Sequence, residues 1–324
     1  MLKYTLKRIG LMLFTFSVIF VICFVLIKLL PVTEADQFGQ DMQLVLLRRE
    51  QLGYNKPIFI QLFIFLERAL FHGDWGISEK LYFGRDVWTL FVTKLPNTIL
   101  VNVYAMLLSV PIGLALGIFA AMKKNKWQDH LISTLTMVVI SVPSYVYAFL
   151  LQYFLCYKLQ WFDFRVLPVD PENGITFFSW PMFKSMLPAV FCLSFGSIAG
   201  FTRYTRAELT EVLTSEFMLL ARAKGLTKGQ ATVRHALRNA MVPIFPMILG
   251  EFVSILSGSL IIESIFTVGG VGSLYVDSIN CTPPDYNIFL LLTAFYTLVS
   301  LTAGIVVDLS YGFIDPRIRM GAKK

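Results

Sequence analysis

Long apolar runs constrain this chain more than any other feature. A hydrocarbon core of about 30 Å needs roughly 20 helical residues to cross it, at about 1.5 Å each. Six runs approach or exceed that length: Ile9–Leu30, Asn97–Met122, Leu131–Tyr157, Met186–Phe201, Ala240–Phe266 and Tyr286–Gly312. Inside lipid every backbone N–H and C=O must be paired within the protein, which leaves helices or closed barrels. Runs this long select helices, so the expected fold is an all-α polytopic membrane protein with six transmembrane helices. The fourth run is the shortest and is interrupted by Gly196 and Gly200, which leaves its limits the least defined. Composition excludes an ordinary soluble domain, because only 15% of residues are charged where about 25% is typical.

The first run follows Lys3, Lys7 and Arg8. It is longer than a signal-peptide core and has no small-x-small cleavage site, so it reads as a retained span. Lys28 can snorkel to the interface at its far end. The chain then divides into a tail and first helix (1–30), an extracytoplasmic region (31–96), a five-helix core (97–312) and a tail (313–324). The 31–96 region mixes eight acids with seven bases and contains an amphipathic piece, Ile58–Leu70, and a turn at His72–Gly76.

Orientation follows from the Lys/Arg bias of the connecting segments. With the N-terminus inside, segments 1–8, 123–130, 203–239 and 313–324 hold 17 basic residues, against 10 outside. Both termini and the 203–239 loop are therefore expected in the cytoplasm. The net charge of +7 is spread by topology rather than gathered on one face, so nucleic acid is not an expected partner. The four cysteines show no CxxC spacing and read as small buried hydrophobes. Three histidines without HxH or HExxH spacing give no metal site, and no cofactor is expected on this chain.

The inner loop has its own local grammar. Arg222, Lys224, Lys228, Arg234 and Arg238 crowd into it. Ser215 can cap a short helix reaching Lys224, and Gly225 suits the left-handed position after a helix end. Thr227 and Gln230 make a capping box that starts a second helix, expected to run to about Asn239, before Pro243. Leu219, Leu220, Ala223 and Leu226 are then available for a partner's groove. A membrane-surface element held by anionic lipid headgroups fits the same residues, and the two readings stay open at this point.

The segment Ala221-x3-Gly225 followed by Leu237 resembles the "EAA" loop of ABC-importer permeases. Where that loop usually has Glu, Ala and a later Pro, this chain has Leu219, Leu220 and Arg238. The run ARAKGL…RHALRNA…P is similar to the first of the two permease subunits of oligopeptide, dipeptide and nickel importers. LGYNKPIFIQ (Leu52–Gln61), GDWG (Gly73–Gly76), LPNT (Leu95–Thr98), VPSYV (Val142–Val146), LPV (Leu167–Val169), LPA (Leu187–Ala189) and DPRIR (Asp315–Arg319) agree in order along the chain. Gly269 and Asn287 stand where the family usually has proline.

That resemblance implies a type I importer permease fold in a bacterial cytoplasmic membrane, with a cytoplasmic coupling helix. The coupling element would be Leu219, Leu220, Ala221, Arg222, Ala223, Lys224, Gly225 and Leu226, with Leu237. The implied partners are a second homologous permease, two ABC ATPase subunits, an extracytoplasmic substrate-binding protein and membrane lipid. ATP and Mg²⁺ would be used by the ATPases, since this chain has no Gly-Lys pair and so no phosphate cradle of its own. A peptide cargo is implied, though nickel chelates are carried by similar permeases.

Charges at membrane depth are candidates for function, because burying them is costly. Glu251 and Glu263 fall within the fifth run, and either could lie on a translocation path and meet a substrate amine. An internal hydrogen-bonded role is the alternative for both, and Asp308 lies near the headgroups. Gly113 with Gly117, and Gly196 with Gly200, have the spacing of close helix packing. Pro111 and Pro143 are expected to kink or end their spans. Two other functions fit a polytopic helical protein: an ion-coupled secondary transporter, expected to show inverted repeats with paired broken helices, and a scaffold recruiting a soluble partner.

Overall fold

The computed structural model describes residues 2–29, 50, 53 and 55–314. The DPRIR ending, part of LGYNKPIFIQ and the first stretch of the 31–96 region lie outside the described residues. Helices make up the ordered elements among them: α1 (Leu2–Leu29), α2 (Ile58–Phe71), α3 (Val87–Met122), α4 (Trp127–Ser141) and α5 (Ser144–Leu151), which continues as a π-helical turn. There follow α6 (Trp180–Leu213), α7 (Glu216–Ala223), α8 (Lys228–Ala231), a π turn at Thr232–Ala236, α9 (Leu237–Ser254), α10 (Leu260–Ile265), α11 (Val271–Asn280) and α12 (Tyr286–Ile314). Among the described residues, five helical stretches are long and apolar enough to cross a membrane, or six when the bent pair α4–α5 is counted as one span.

The centre of the bundle is α3 against α6. They run parallel: Ser194 Oγ donates to the Ala105 carbonyl and Thr202 Oγ1 to the Gly113 carbonyl. Glycine makes the approach close. A Cβ on Gly113 would collide with Phe201 and the Ile198 carbonyl, and one on Gly117 with Thr205 and the Thr202 carbonyl. The expected packing role therefore holds for this pair. Within this chain no helix packs closely on Gly200, which has nothing within 4 Å of a Cβ, and Gly196 meets only the Tyr147 hydroxyl at 3.9 Å.

The peripheral span α1 lies antiparallel to α12. Arg8 pairs with Asp308 at 2.9 Å at one end, and Lys28 sits 4.6 Å over the Tyr286 ring at the other. Among the described side chains of α1, Phe20, Phe24 and Ile27 are the buried ones. They pack on Phe289, Leu290 and α2, so most of α1 faces outward as a lipid-contacting helix does. After α2, Arg68 donates to Asp74 and the Gly76 N–H closes the turn on the same carboxylate. Burial pushes the Asp74 carboxyl up, but these two hydrogen bonds outweigh it and hold it below the usual carboxylate range. Nearby, Asp285 is fully buried and accepts from Ser78 Oγ and the Lys80 and Leu81 N–H groups, pinning this connector to the start of α12.

Four span limits differ from the sequence expectation, the second run's helix beginning at Val87 rather than Asn97 because Asp86 caps it there. The fourth run is an uninterrupted 34-residue helix, because interior glycines weaken a helix without breaking it when neighbours hold it. The third run is broken at Val142–Pro143, where α4 and α5 bend by 98°. Pro143 thus ends a helix as expected, whereas Pro111 lies inside a continuous α3. The fifth run does not extend to Phe266. Helix α9 stops at Ser254, and Ile255–Ser259 is non-helical, with Gly258 in the left-handed region at φ +60°. Nor does the loop's second helix end at Asn239, since it passes through Pro243 and Pro246 into α9.

Candidate functional site

The basic loop folds as two helices around a glycine turn. Helix α7 buries Met218 and Ala221 against Ala121, Leu209, Ala231, Ala236 and Ala240, all from helices that meet at this end of the bundle. Its other face points away from the protein: Leu219 is 64% and Leu220 58% exposed. Arg222, Ala223, Lys224 and Gly225 are exposed too, while Leu226 and Leu237 are half-buried. Leu226 therefore packs inward rather than standing free for a partner. Phe217 and Val233, which the sequence reading passed over, are further exposed apolar residues of this loop. Their signal was available, since each is a large apolar residue within a polar stretch.

The turn is built from the expected chemistry. Gly225 has φ +90°, a conformation other residues adopt only with strain. The Thr227 N–H donates to Gln230 Oε1 at 3.1 Å, and the Gln230 N–H donates to Thr227 Oγ1 at 3.3 Å, the reciprocal capping box. Ser215 behaves differently. Its hydroxyl donates back to the Val212 carbonyl at 2.6 Å, so α7 has no side-chain cap.

One ion pair braces this end of the bundle. Asp129, at the start of α4, is fully buried. It accepts from both the Nε and Nη2 of Arg206 on α6, and from the Asn125 N–H at 2.9 Å. The pair ties the bent span to α6 just before α6 turns into α7. Sequence reading missed it, although Asp129 is the sole carboxylate between Asp86 and Asp163.

The two candidate path carboxylates have different surroundings. Glu263, on the short α10 rather than in the fifth span, is 1% exposed. Thr98 Oγ1 donates to it at 3.0 Å and the Gly272 N–H at 2.8 Å. The same Thr98 oxygen accepts the Val271 N–H at 2.9 Å. A Cβ at Gly258, Gly270 or Gly272 would overlap the carboxylate. Glu263 is thus walled in, the hydrogen-bonded alternative set out for it.

Glu251, three residues before α9 ends at Ser254, is half-buried and accepts one hydrogen bond, from Ser197 Oγ at 2.6 Å. It forms none of the ion pairs found among the described residues. Asp308 is the interface-level partner of Arg8. Among the described residues, no group of three or more His, Cys, Asp or Glu side chains could hold a metal ion.

A bundle of helices long and apolar enough to cross a membrane, with a helical loop exposed at one end, is a polytopic membrane protein. Comparison with known proteins is specific about which kind. The chain matches the family of binding-protein-dependent transport system inner membrane components over residues 113–320, and it belongs to that family. It is 31% identical, over 99% of its length and all of the relative's, to the dipeptide transport system permease protein DppB of Lactococcus lactis subsp. cremoris. It is 31% identical to the glutathione transport system permease protein GsiC of Escherichia coli K12, over 98% of this chain and 99% of that one. It is 32% identical, with the same coverage, to the probable peptide ABC transporter permease protein y4tP of Sinorhizobium fredii.

The chain is therefore the permease subunit of an ABC importer, a multi-pass protein whose transport depends on a separate substrate-binding protein and on ATPase partners. The secondary-transporter and scaffold readings fall with this membership, even though the structure does contain broken helices.

Proposed function

We propose that this chain forms one half of the path of a peptide importer and that α7 is its coupling helix. Peptides are the cargo class shared by the dipeptide and peptide systems to which its relatives are assigned, and glutathione is itself a small peptide. The importer pairs this chain with a second homologous permease and two ABC ATPase subunits, which bind ATP and Mg²⁺. An extracytoplasmic protein delivers the cargo. The end carrying α7 and the N-terminus of α1 is cytoplasmic, in keeping with its excess of Lys and Arg.

The observation that carries the coupling role is the division of α7 into two faces. Met218 and Ala221 fix it to α3, α6 and α9, while Leu219 and Leu220 project from the protein with basic residues around them. A short helix anchored on one side and apolar on the other can pass a displacement in either direction as a rigid body. Leu237, half-buried below the loop, belongs to the supporting side.

The test is Leu220→Glu in the assembled importer. A charge at the centre of an apolar contact is expected to lower ATPase retention and peptide uptake by about 10-fold or more. Pairing with the second permease should persist, because the substituted side chain does not touch the core. Retention of the ATPase together with normal uptake overturns the assignment.

A further inference from the structure

Two helix discontinuities lie at one depth in this bundle, and α6 shows which depth. Lys184 and Arg203 bracket an uncharged stretch of α6 whose centre falls at Leu193–Ser194. Cys192 and Ser197 each lie within about 6 Å of that centre along the axis, at about 1.5 Å per residue. The Cys192 thiol meets the Ser144 carbonyl at 3.7 Å, so the α4–α5 break sits beside the middle of the membrane. Glu251 meets Ser197, so α9 also reaches only mid-depth before it ends at Ser254. The Ile255–Ser259 segment, whose first three N–H groups close i→i−3 turns, and α10 then continue toward Thr98. Thr98 lies about 15 Å nearer the opposite end, given the parallel register of α3 and α6.

Near the breaks, α6 carries two glycines with little packed beside them. Gly196 has only the Tyr147 hydroxyl near where its Cβ would be, at 3.9 Å, and Gly200 has nothing within 4 Å. Glu251 adjoins this glycine strip with one hydrogen bond and no ion-pair partner among the described residues. Lipid cannot cover such a face, because a carboxylate at mid-bilayer is costly. Irregular backbone at that depth persists only where protein or a water-filled cavity adjoins it. A water-filled route satisfies the loose backbone, the carboxylate and the empty space at the glycines together.

We infer that Glu251, held by Ser197 between the two helix breaks, is a mid-membrane subsite that receives the ammonium group of the passing cargo. The inference rests on the peptide-importer reading and deepens it: peptides carry an ammonium group at the N-terminus and on any lysine. Ser197 fixes one carboxylate oxygen and leaves the other lone pairs toward the open strip. Glu263 is excluded from this role by its glycine wall. The glycines keep the strip wide enough for a backbone to slide past, while the carboxylate offers a resting point short of the ATPase end.

The experiment uses the full importer reconstituted in liposomes with its binding protein. Uptake of radiolabelled Ala-Ala and Ala-Lys is measured for the wild type, Glu251→Gln and Glu251→Asp, with assembly followed by size-exclusion chromatography. Glu251→Gln is expected to slow uptake of both peptides by about 10-fold or more at saturating binding protein. It should leave the half-saturating binding-protein concentration unchanged, and Glu251→Asp should recover part of the rate. Glu251→Gln uptake within about twofold of the wild type, a change well inside a tenfold barrier step, overturns the subsite. So does dissociation of the Glu251→Gln complex, which would assign the missing cation to the second permease. A wild-type importer that takes up neither peptide overturns the cargo reading itself, a result visible before any variant is compared.

Discussion

Thr98→Val isolates the keystone of the α10 region. Valine keeps the shape of threonine and deletes one hydroxyl, which here has two jobs. It donates to the Glu263 carboxylate at 3.0 and 3.1 Å and accepts the Val271 N–H at 2.9 Å. A hydrogen bond to a charged acceptor contributes about 1.5–3 kcal/mol, and a buried N–H left without a partner costs about 1–3 kcal/mol. Because the two effects share one oxygen they are not additive, and a total near 3–5 kcal/mol is expected. At about 2–4 °C per kcal/mol for 150–250 residues, and less for a longer chain, the melting temperature should fall by about 5–10 °C.

The assay is thermal melting in lipid nanodiscs across a cycle of wild type, Thr98→Val, Glu263→Gln and the double variant. Thr98→Ser retains the hydroxyl and should melt near the wild type. If the residues act as a unit, the double variant loses much less than the sum of the single losses. A Thr98→Val protein melting within about 1 °C of the wild type, or strict additivity across the cycle, refutes the argument.

Two further outcomes follow from the same reasoning. Gly117→Ala drives a methyl into Thr205 and to within 2.8 Å of the Thr202 carbonyl. It should cost at least about 1–3 kcal/mol in melting stability, whereas Gly200→Ala, inside a helix and beside open space, should raise it by about 0.5–1 kcal/mol. Arg206→Met leaves the fully buried Asp129 without its cation, an expected loss of about 3–5 kcal/mol that Asp129→Asn in the same chain should largely restore; melting of the wild type, the single and the double variant checks both outcomes.

How much of this was legible in the sequence depended on how far apart the interacting residues lie. The Gly225 turn and the Thr227–Gln230 capping box each involve partners within three residues, and both formed as read. Breaks and continuations were harder. Pro143 ends a helix while Pro111, Pro188, Pro243 and Pro246 sit inside helices. The difference lies in the neighbours that hold each backbone, which local sequence does not display.

The fate of Glu263 depends on Thr98, 165 residues away, and that of Glu251 on Ser197, 54 residues away. From the sequence, both acids belonged to one apolar run. The run Ser257-Gly258-Ser259 between them did carry turn chemistry, and a heavier weight on it would have ended α9 where the structure ends it.

The parallel seam of α3 and α6 also bears on how the protein is made. The contacts Ala105–Ser194 and Gly113–Thr202 each join residues 89 positions apart. At a synthesis rate of about 5–20 residues per second, α3 waits in the bilayer for roughly 5–18 s before its glycine face meets its partner. The N-terminal span waits longer, since Arg8 pairs with Asp308 near the other end of the chain. During that interval the smallest and most adhesive surface of the nascent protein is uncovered, open to any other helix in the membrane. The tight seam that rigidifies the finished permease is therefore also a site open to mispairing while the protein is being made.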